Sequence, residues 1–447
     1  MQTKLLTVIV VVFLYAVLNV IIFVLSDPGC YAFDGFCAIQ ENSSDSIKWA
    51  NSFIKFSGFI AQENPLNFET NFPPGHAIII VTTRLFGASN LVPMVWLQLI
   101  ALFIVGWIVK VLVEREAPEF GTLALILVVS NPNALASAHL PYAGIFSLLM
   151  ITLSLHCLIQ FCKRGSYVMA ALAGGFLGAA VLFRPVAQYL IPLLPIIILV
   201  AVWLTKRSWK RCGIPSVCAA AIATCAAILV VFPWLLHQHN SGVGWRFAGN
   251  DRELLFITDN LRYLTPSMPG EANRLWKKQF STEQMQRLAT QESEWENLSV
   301  SERHKLRLKD ARTYLLSMPF DGRVFAIAWL KSTLRFFTLG GSGAMHSLFG
   351  LEYKSRTNPV AYWGLKTWGI TYALTLRMLG LFGIVWLIIR GHRATLFILV
   401  GLVLYYWLAH FVHGKPRFRL AVEAPLAMLA VYGIVWLQYL YKKSFRK

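Results

Sequence analysis

The sequence predicts an all-α integral membrane protein that crosses the membrane about ten times. Three observations lead to this prediction: 56% of the 447 residues are hydrophobic, only 14% are charged, and apolar runs long enough to span a bilayer recur along the chain. Soluble domains are usually about 45–50% apolar and about 25% charged, and a spanning helix needs roughly 20 mainly apolar residues. Apolar surface on this scale requires lipid to cover it.

The ten predicted spans are apolar and nearly free of charge. They lie at 5–25, 91–113, 120–138, 141–162, 167–183, 186–205, 214–236, 367–389, 394–412 and 419–441. The first run is longer than the apolar core of a signal peptide and lacks a small-x-small cleavage site, so we expect a retained helix. We interpret 1–447 as a single membrane domain.

A shorter apolar stretch, Pro73 to Gly87, decides the orientation of everything after it. If this stretch does not cross and the N-terminus is inside, every strongly basic short connection is cytoplasmic, as the positive-inside rule requires. The basic residues concerned are Lys110, Arg115, Lys163, Arg164, Lys206, Arg207, Lys210, Arg211, Arg390, Arg393, Lys442, Lys443, Arg446 and Lys447. We therefore expect a juxtamembrane or half-inserted helix on the outer face.

Two outward regions are large. The first outer loop, 26–90, is acidic and rich in Asn and Pro, and the second, 237–366, is too long for a passive linker. In the second, Glu271 to Leu316 has amphipathic helical periodicity. Val324 to Phe337 is apolar but interrupted by cations, which favours an interfacial helix.

Composition also argues against several functions. The net charge of +19 reflects cations that flank apolar runs, and no nucleic-acid motif accompanies them, so we expect no nucleic-acid partner. No acidic residue occurs between Glu119 and Asp251, which argues against an ion-coupled carrier. The seven cysteines form no metal-binding pattern. Cys30 and Cys37 of the first loop are either a small disulfide or two free thiols.

Cations at the outer side are the candidate binding residues. Arg184-Pro185 lies at an outer turn, where the arginine is either a snorkelling anchor or an anion site. The segment His413 to Arg419 adds Lys415, Arg417 and Arg419 on the outer side, against the positive-inside trend. Glu423 follows Arg419 at salt-bridge spacing, and we favour a helix-end ion pair near the outer surface over a catalytic role.

Five motifs together resemble the C-type glycosyltransferases, in the branch of the protein O-mannosyltransferases and the lipid A aminoarabinose transferase. They follow the family's order and spacing over nearly the whole chain: Asp45-Ser-Ile-Lys-Trp-Ala-Asn with Gly58, Phe72-Pro-Pro-Gly-His76 with Phe86-Gly87, Gly174-Gly-Phe-Leu-Gly178 through Phe183-Arg-Pro185, Pro233-Trp234, and Lys415-Pro-Arg-Phe-Arg419 with Pro425.

The resemblance implies an inverting transferase that moves a sugar from a polyprenyl-phosphate carrier to a lipid, glycan or protein acceptor on the outer or lumenal face. The family's catalytic carboxylate matches Asp45, and its phosphate-facing cations match Arg184, Lys415, Arg417 and Arg419. Weaker donor or acceptor contacts would come from His76, Glu69 and His237. No nucleotide or other cofactor is implied.

Two positions depart from the family pattern. Many relatives have an acidic residue at the outer end of the third span, where this chain reads Ala138-His-Leu-Pro-Tyr142, and the Arg-Asn that commonly follows Pro-Trp is replaced by His237-Gln238. A metal-bridged or two-carboxylate site is therefore not supported. Asp45 is then the one acid expected to act, as a general base, although it also suits the N-cap of a helix starting at Ser46.

The alternative to a transferase is a flippase or transporter of a lipid-linked saccharide, and a third possibility is a polymerase of lipid-linked glycan repeats. The flippase or transporter would also need cations at an outer phosphate site. For the location we expect an integral protein of the bacterial inner membrane rather than of the endoplasmic reticulum membrane.

Overall fold

The computed structural model describes residues 2–26, 73–206, 209–240, 244–247, 321–349, 359–409 and 416–445, the strand residues 60–61 and 64–68, and single positions at 31, 50 and between 264 and 316. This part of the chain is a bundle of helices, and its strands are a short antiparallel pair, β1 (Ile60–Ala61) and β2 (Asn64–Phe68). The prediction of an all-α polytopic membrane fold is confirmed.

The helices follow the apolar runs of the sequence. In chain order they are α1 (Gln2–Leu25), α2 (Gly75–Leu85), α3 (Val92–Glu114), α4 (Gly121–Val129), α5 (Pro132–His139), α6 (Gly144–Arg164), α7 (Tyr167–Phe183), a 3-10 turn (Pro185–Tyr189), α8 (Leu190–Lys206), α9 (Trp209–Asn240), α10 (Gly322–Thr338), α11 (Ser342–Leu348), α12 (Pro359–Ile389), α13 (Arg393–Ala409), α14 (Pro416–Arg419), a second 3-10 turn (Leu420–Val422) and α15 (Glu423–Ser444).

The number of crossings follows from helix length. In the described residues, seven helices are long and apolar enough to cross a membrane, and an eighth crossing results if α4 and α5 form one bent span. Helices α7 and α13 have 17 residues each, which gives about 26 Å against a hydrocarbon core of about 30 Å. Ten crossings, the number predicted, requires both of these shorter helices to cross.

The third predicted span is not one straight helix. The unbroken run expected over 120–138 bends by 52° between α4 and α5. The cause is local: Asn131 has extended backbone and its side chain accepts hydrogen bonds from the amides of Asn133 and Ala134, at 2.9 and 3.1 Å. Pro132 cannot donate to the preceding turn, so one helix ends and a new, capped helix begins.

The two segments expected to form helices on the outer face are both helical. Helix α2 has 11 residues and spans about 16 Å, too short to cross, as expected for Pro73 to Gly87. Helix α10 includes the segment expected to be interfacial. Helix α9 continues to Asn240 and α12 begins at Pro359, so both helices extend a few residues into the segment 237–366 expected to be the second outer loop. Most of Glu271 to Leu316 lies outside the described residues.

Small residues let the helices approach closely. A Cβ atom at Gly174 of α7 would overlap the carbonyl of Ala223 on α9, and one at Gly178 would lie 2.6 Å from the carbonyl of Ala227. This small-xxx-small spacing is typical of helix pairs in membranes. The glycine motif of the sequence therefore packs α7 against α9.

The helix ends form two opposite layers. At one end α2, the end of α7 and the start of α6 meet, since a Cβ at Gly75 would lie 2.6 Å from the carbonyl of Leu182. At the other end Glu116 pairs with Lys163 and lies 3.1 Å from Nε2 of His392. The first end is the one expected to be outside, and the second contains the basic connections expected to be cytoplasmic.

We predict that a membrane-impermeant thiol reagent added from outside modifies a cysteine at position 290 but not one at position 208. The basis is charge parity, since Ser208 lies within the cluster Lys206 to Arg211, whereas Thr290 belongs to the second outer loop. The measurement is labelling of Ser208→Cys and Thr290→Cys in intact and permeabilised cells. Labelling of position 208 alone in intact cells would contradict the orientation.

Candidate functional site

Arg184 occupies the turn that follows α7, at the end of the bundle expected to be outside. Its backbone is extended (φ −144°, ψ 112°) and Pro185 starts the next turn. The chain therefore leaves the direction of α7 at Arg184. The guanidinium carbon lies 5.8 Å from the centroid of the Phe418 ring. A Cβ atom at Gly144 would lie 3.8 Å from Nη2 of Arg184, and it would lie 2.6 Å from Cδ2 of Leu420. The start of α6 therefore leaves room for this guanidinium and for the turn that follows α14.

His76 approaches the same place from α2. The imidazole is 3% exposed, and its Nε2 atom has no hydrogen-bond partner among the described residues. Burial, and then the positive charge of Arg184, lower the pKa of His76 to about 4. At neutral pH this ring is uncharged and offers one unpartnered nitrogen beside Arg184.

Three segments distant in sequence therefore converge at the end of the bundle expected to be outside. They are the Pro73–His76 motif, the turn at Arg184, and the helical turn α14, which supplies Phe418. In the sequence, only the resemblance to one family connects these segments. The structure brings His76, Arg184 and Phe418 into one neighbourhood.

The side chain of Arg419 has a different environment. It is 1% exposed, and each of its three guanidinium nitrogens donates to a protein oxygen. Nε donates to Oε1 of Glu423 at 2.7 Å, Nη2 donates to the carbonyl of Leu339 at 2.6 Å, and Nη1 donates to the carbonyl of Phe336. The last carbonyls of a helix lack partners within it, so Arg419 caps the end of α10.

Glu423 is the centre of a buried polar network. Its Oε1 accepts from Arg419 and from Nδ2 of Asn133 at 3.2 Å, and its Oε2 accepts from Nδ2 of Asn131 at 3.0 Å and from Nη2 of Arg377 at 3.4 Å. The carboxylate is 3% exposed. The predicted i,i+4 pair with Arg419 is present. Both side chains are buried, and α10, α12 and the bend before α5 enclose them.

The network also positions the link after α10. Gly341 has φ +83°, and a Cβ there would lie 2.6 Å from Cα of Asn133; a Cβ at Gly340 would overlap the carbonyl of Gly369 on α12. At both positions only glycine allows the two backbones to lie this close together. At Gly341 the positive φ also favours glycine. Residues 339–341 therefore lie directly against the two helices that supply partners of Glu423.

Sequence reasoning missed three members of this network: Arg377, Asn131 and Asn133. A signal existed for each, since Arg377 is a charge within an apolar run and the two asparagines flank a proline in another. Polar groups inside a span usually face the bundle interior and pair with one another. Which of them pair could not be deduced, because Asn131 and Glu423 are 292 residues apart.

The segment Ala138 to Tyr142, where the resemblance would place an acidic residue, makes packing and hydrogen-bond contacts with other helices. His139 is fully buried, and its Nε2 lies 2.9 Å from Oδ1 of Asn19 on α1. Gln98 of α3 donates to the carbonyls of Ala138 and Leu140, at 3.2 and 2.8 Å. These contacts attach the end of α5 to α1 and α3.

The remaining predicted residues are only partly described. Asp45, Glu69 and Lys415 lie outside the described residues, as do Cys30 and Cys37, and Arg417 is described as part of α14 without its side chain. His237 lies near the end of α9, stacked on Trp234 with ring centroids 5.0 Å apart.

Comparison with known proteins leaves the family open. No protein-family model matches this chain, and no curated protein matches it.

Proposed function

We propose that this chain is an inverting membrane glycosyltransferase that takes a sugar from a polyprenyl phosphate and transfers it to an acceptor at the outer end of the bundle. The observation that carries the proposal is the convergence of the start of α2, Arg184 and Phe418. A Cβ atom at Gly75, next to His76, would lie 3.0 Å from Cδ1 of Phe183, next to Arg184, and the Arg184 guanidinium carbon lies 5.8 Å from the Phe418 ring. A lipid-linked phosphate needs a cation near the membrane surface, and Arg184 at a turn between two helices meets that need.

The chemistry explains why one carboxylate suffices. A phosphate leaves the sugar as a stable anion, so no general acid has to protonate it, whereas an alcohol leaving group in a glycosidase requires one. Cations beside the phosphate stabilise the charge that develops there. The acceptor hydroxyl still needs its proton removed as it attacks, and Asp45 would serve as that base.

The contacts of Arg419 change its assignment within this proposal. Three donated hydrogen bonds and near-complete burial direct this side chain towards Glu423 and α10. We therefore propose that Arg184, with Lys415 and Arg417, binds the donor phosphate, and that Arg419 holds the α14 turn in position.

The experiment that tests the function is incubation of purified protein with a polyprenyl-phosphate sugar and an acceptor extract. A transferase releases free polyprenyl phosphate and forms a glycosidic bond of inverted configuration. A flippase moves the donor between leaflets of a vesicle and leaves it chemically intact. Translocation without release would contradict the proposal and favour the alternative.

We predict that Arg184→Ala weakens donor binding strongly. Loss of a charged hydrogen-bond partner at a desolvated anion site costs on the order of 2–5 kcal/mol. The measurement is the donor concentration at half-maximal transfer. Arg323→Ala is the matched control, because Arg323 is an exposed outer arginine at the start of α10. Unchanged donor dependence in Arg184→Ala would remove this arginine from the site.

A further inference from the structure

The end of the bundle opposite the candidate site contains a cavity of about 360 Å³ between α6, α8 and α13. Besides the thiol of Cys162, its polar lining consists of three basic side chains and two hydroxyls. These are Lys163, His392, Arg393, Thr205 and Thr395. Lys163, Arg393 and the adjacent Gly391 are exposed, so the cavity has a rim open to the surroundings.

The cations of the cavity outnumber the acid beside it. Glu116 pairs with Lys163 and lies 3.1 Å from His392. Within the described part of the chain, Arg393 takes part in no ion pair. Two permanent cations against one carboxylate leave a net charge of +1, and that charge favours an anion.

The first turn of α13 adds backbone N–H donors to the lining of the cavity. The first intrahelical hydrogen bond here runs from the amide of Leu396 to the carbonyl of His392, at 3.0 Å. The amides of Arg393, Ala394 and Thr395 precede it and belong to the turn that lines the cavity. Such amides lack intrahelical acceptors and give the helix end partial positive charge.

Part of the cavity wall is apolar. It is formed by Ile159, Leu204 and Ile398, and of these Ile159 and Ile398 are buried. A free phosphate gains nothing from such a wall. An amphipathic ligand whose charged group sits above an alkyl portion fits both parts.

We propose that this cavity binds the phosphate headgroup of an anionic phospholipid, with Lys163, Arg393 and the first turn of α13 around the phosphate. The lipid would belong to the leaflet that faces the basic connections. Basic pockets between transmembrane helices on that side are suited to such headgroups. This site is independent of the proposed transferase chemistry, which lies at the other end.

The test is a binding titration of the full-length purified protein in neutral detergent with phosphatidylglycerol, with phosphatidylcholine and with inorganic phosphate. We expect binding of phosphatidylglycerol, much weaker binding of phosphatidylcholine, and no displacement of the lipid by millimolar inorganic phosphate. Equal binding of the two lipids would overturn the proposal. Displacement by inorganic phosphate would overturn it as well, in favour of a free anion.

Two variants locate the site. Arg393→Gln should weaken phosphatidylglycerol binding about fivefold, and adding Lys163→Gln should weaken it about fivefold again. Arg390→Gln is the matched control: Arg390 is in the same turn, but its guanidinium lies over the Trp386 ring at 5.7 Å and does not line the cavity. Arg393 is exposed, so its replacement leaves the bundle intact. Unchanged binding in Arg393→Gln would contradict the site.

Discussion

Replacing Asp45 with asparagine is expected to lower sugar transfer by about 10²-fold or more while donor binding survives. Asparagine keeps the size and much of the hydrogen bonding of aspartate, but it cannot accept a proton from the acceptor hydroxyl. The measurement is the rate of transfer at saturating donor, together with donor affinity, on folded protein.

The same substitution separates catalysis from helix capping. Asparagine is as good an N-cap as aspartate, so a purely structural Asp45 would tolerate the change. Asp34→Asn is the control, because Asp34 is an acid of the same loop without the family spacing to Gly58 and Pro73-Pro74. Its replacement should be mild. Full transfer by Asp45→Asn would end the catalytic role.

Replacing Glu423 with glutamine is expected to give the largest loss of stability. The carboxylate compensates two guanidinium groups inside the bundle, that of Arg419, which is buried, and that of Arg377, whose side chain is 11% exposed. Removing one partner of a buried ion pair leaves uncompensated charge and costs about 3–5 kcal/mol. The measurement is the melting temperature or the denaturation midpoint of the protein in detergent.

Glu114→Gln is the matched control for that stability effect. Glu114 also pairs with a cation four residues away, Lys110, at 2.8 Å, but its side chain is 29% exposed. Exposed helix pairs contribute only about 0.3–0.5 kcal/mol. Similar melting temperatures for the Glu423 and Glu114 variants would show that the buried network does not hold α10 against the spans.

Much of the fold could be predicted because each span is a local property of the chain. An apolar run of sufficient length forms a helix wherever it enters lipid, since the backbone has no other partners there. The start of α12 escaped this reasoning, because 359–366 continues the helix beyond the apolar run. The bend at Asn131 was not predicted because the run is apolar on average. A single capping residue and a single proline, which cause the bend, change that average little.

Several residues of the candidate site could be predicted from the sequence, but most of their hydrogen-bond partners could not. The i,i+4 spacing was enough to pair Arg419 with Glu423, because both lie on one helical face. It could not reveal that Arg377 and the asparagines of another helix complete the network. Nor could it show that Arg419 donates to the carbonyls of α10, because such contacts depend on tertiary packing.

The most direct test of the proposed transferase is a density map of the protein with a polyprenyl-phosphate donor bound. We predict phosphate density within hydrogen-bond distance of Arg184, in the space bounded by His76 and Phe418, with the polyprenyl chain leaving towards the lipid. Phosphate density away from Arg184, or donor bound only at the opposite end beside Lys163 and Arg393, would contradict the account.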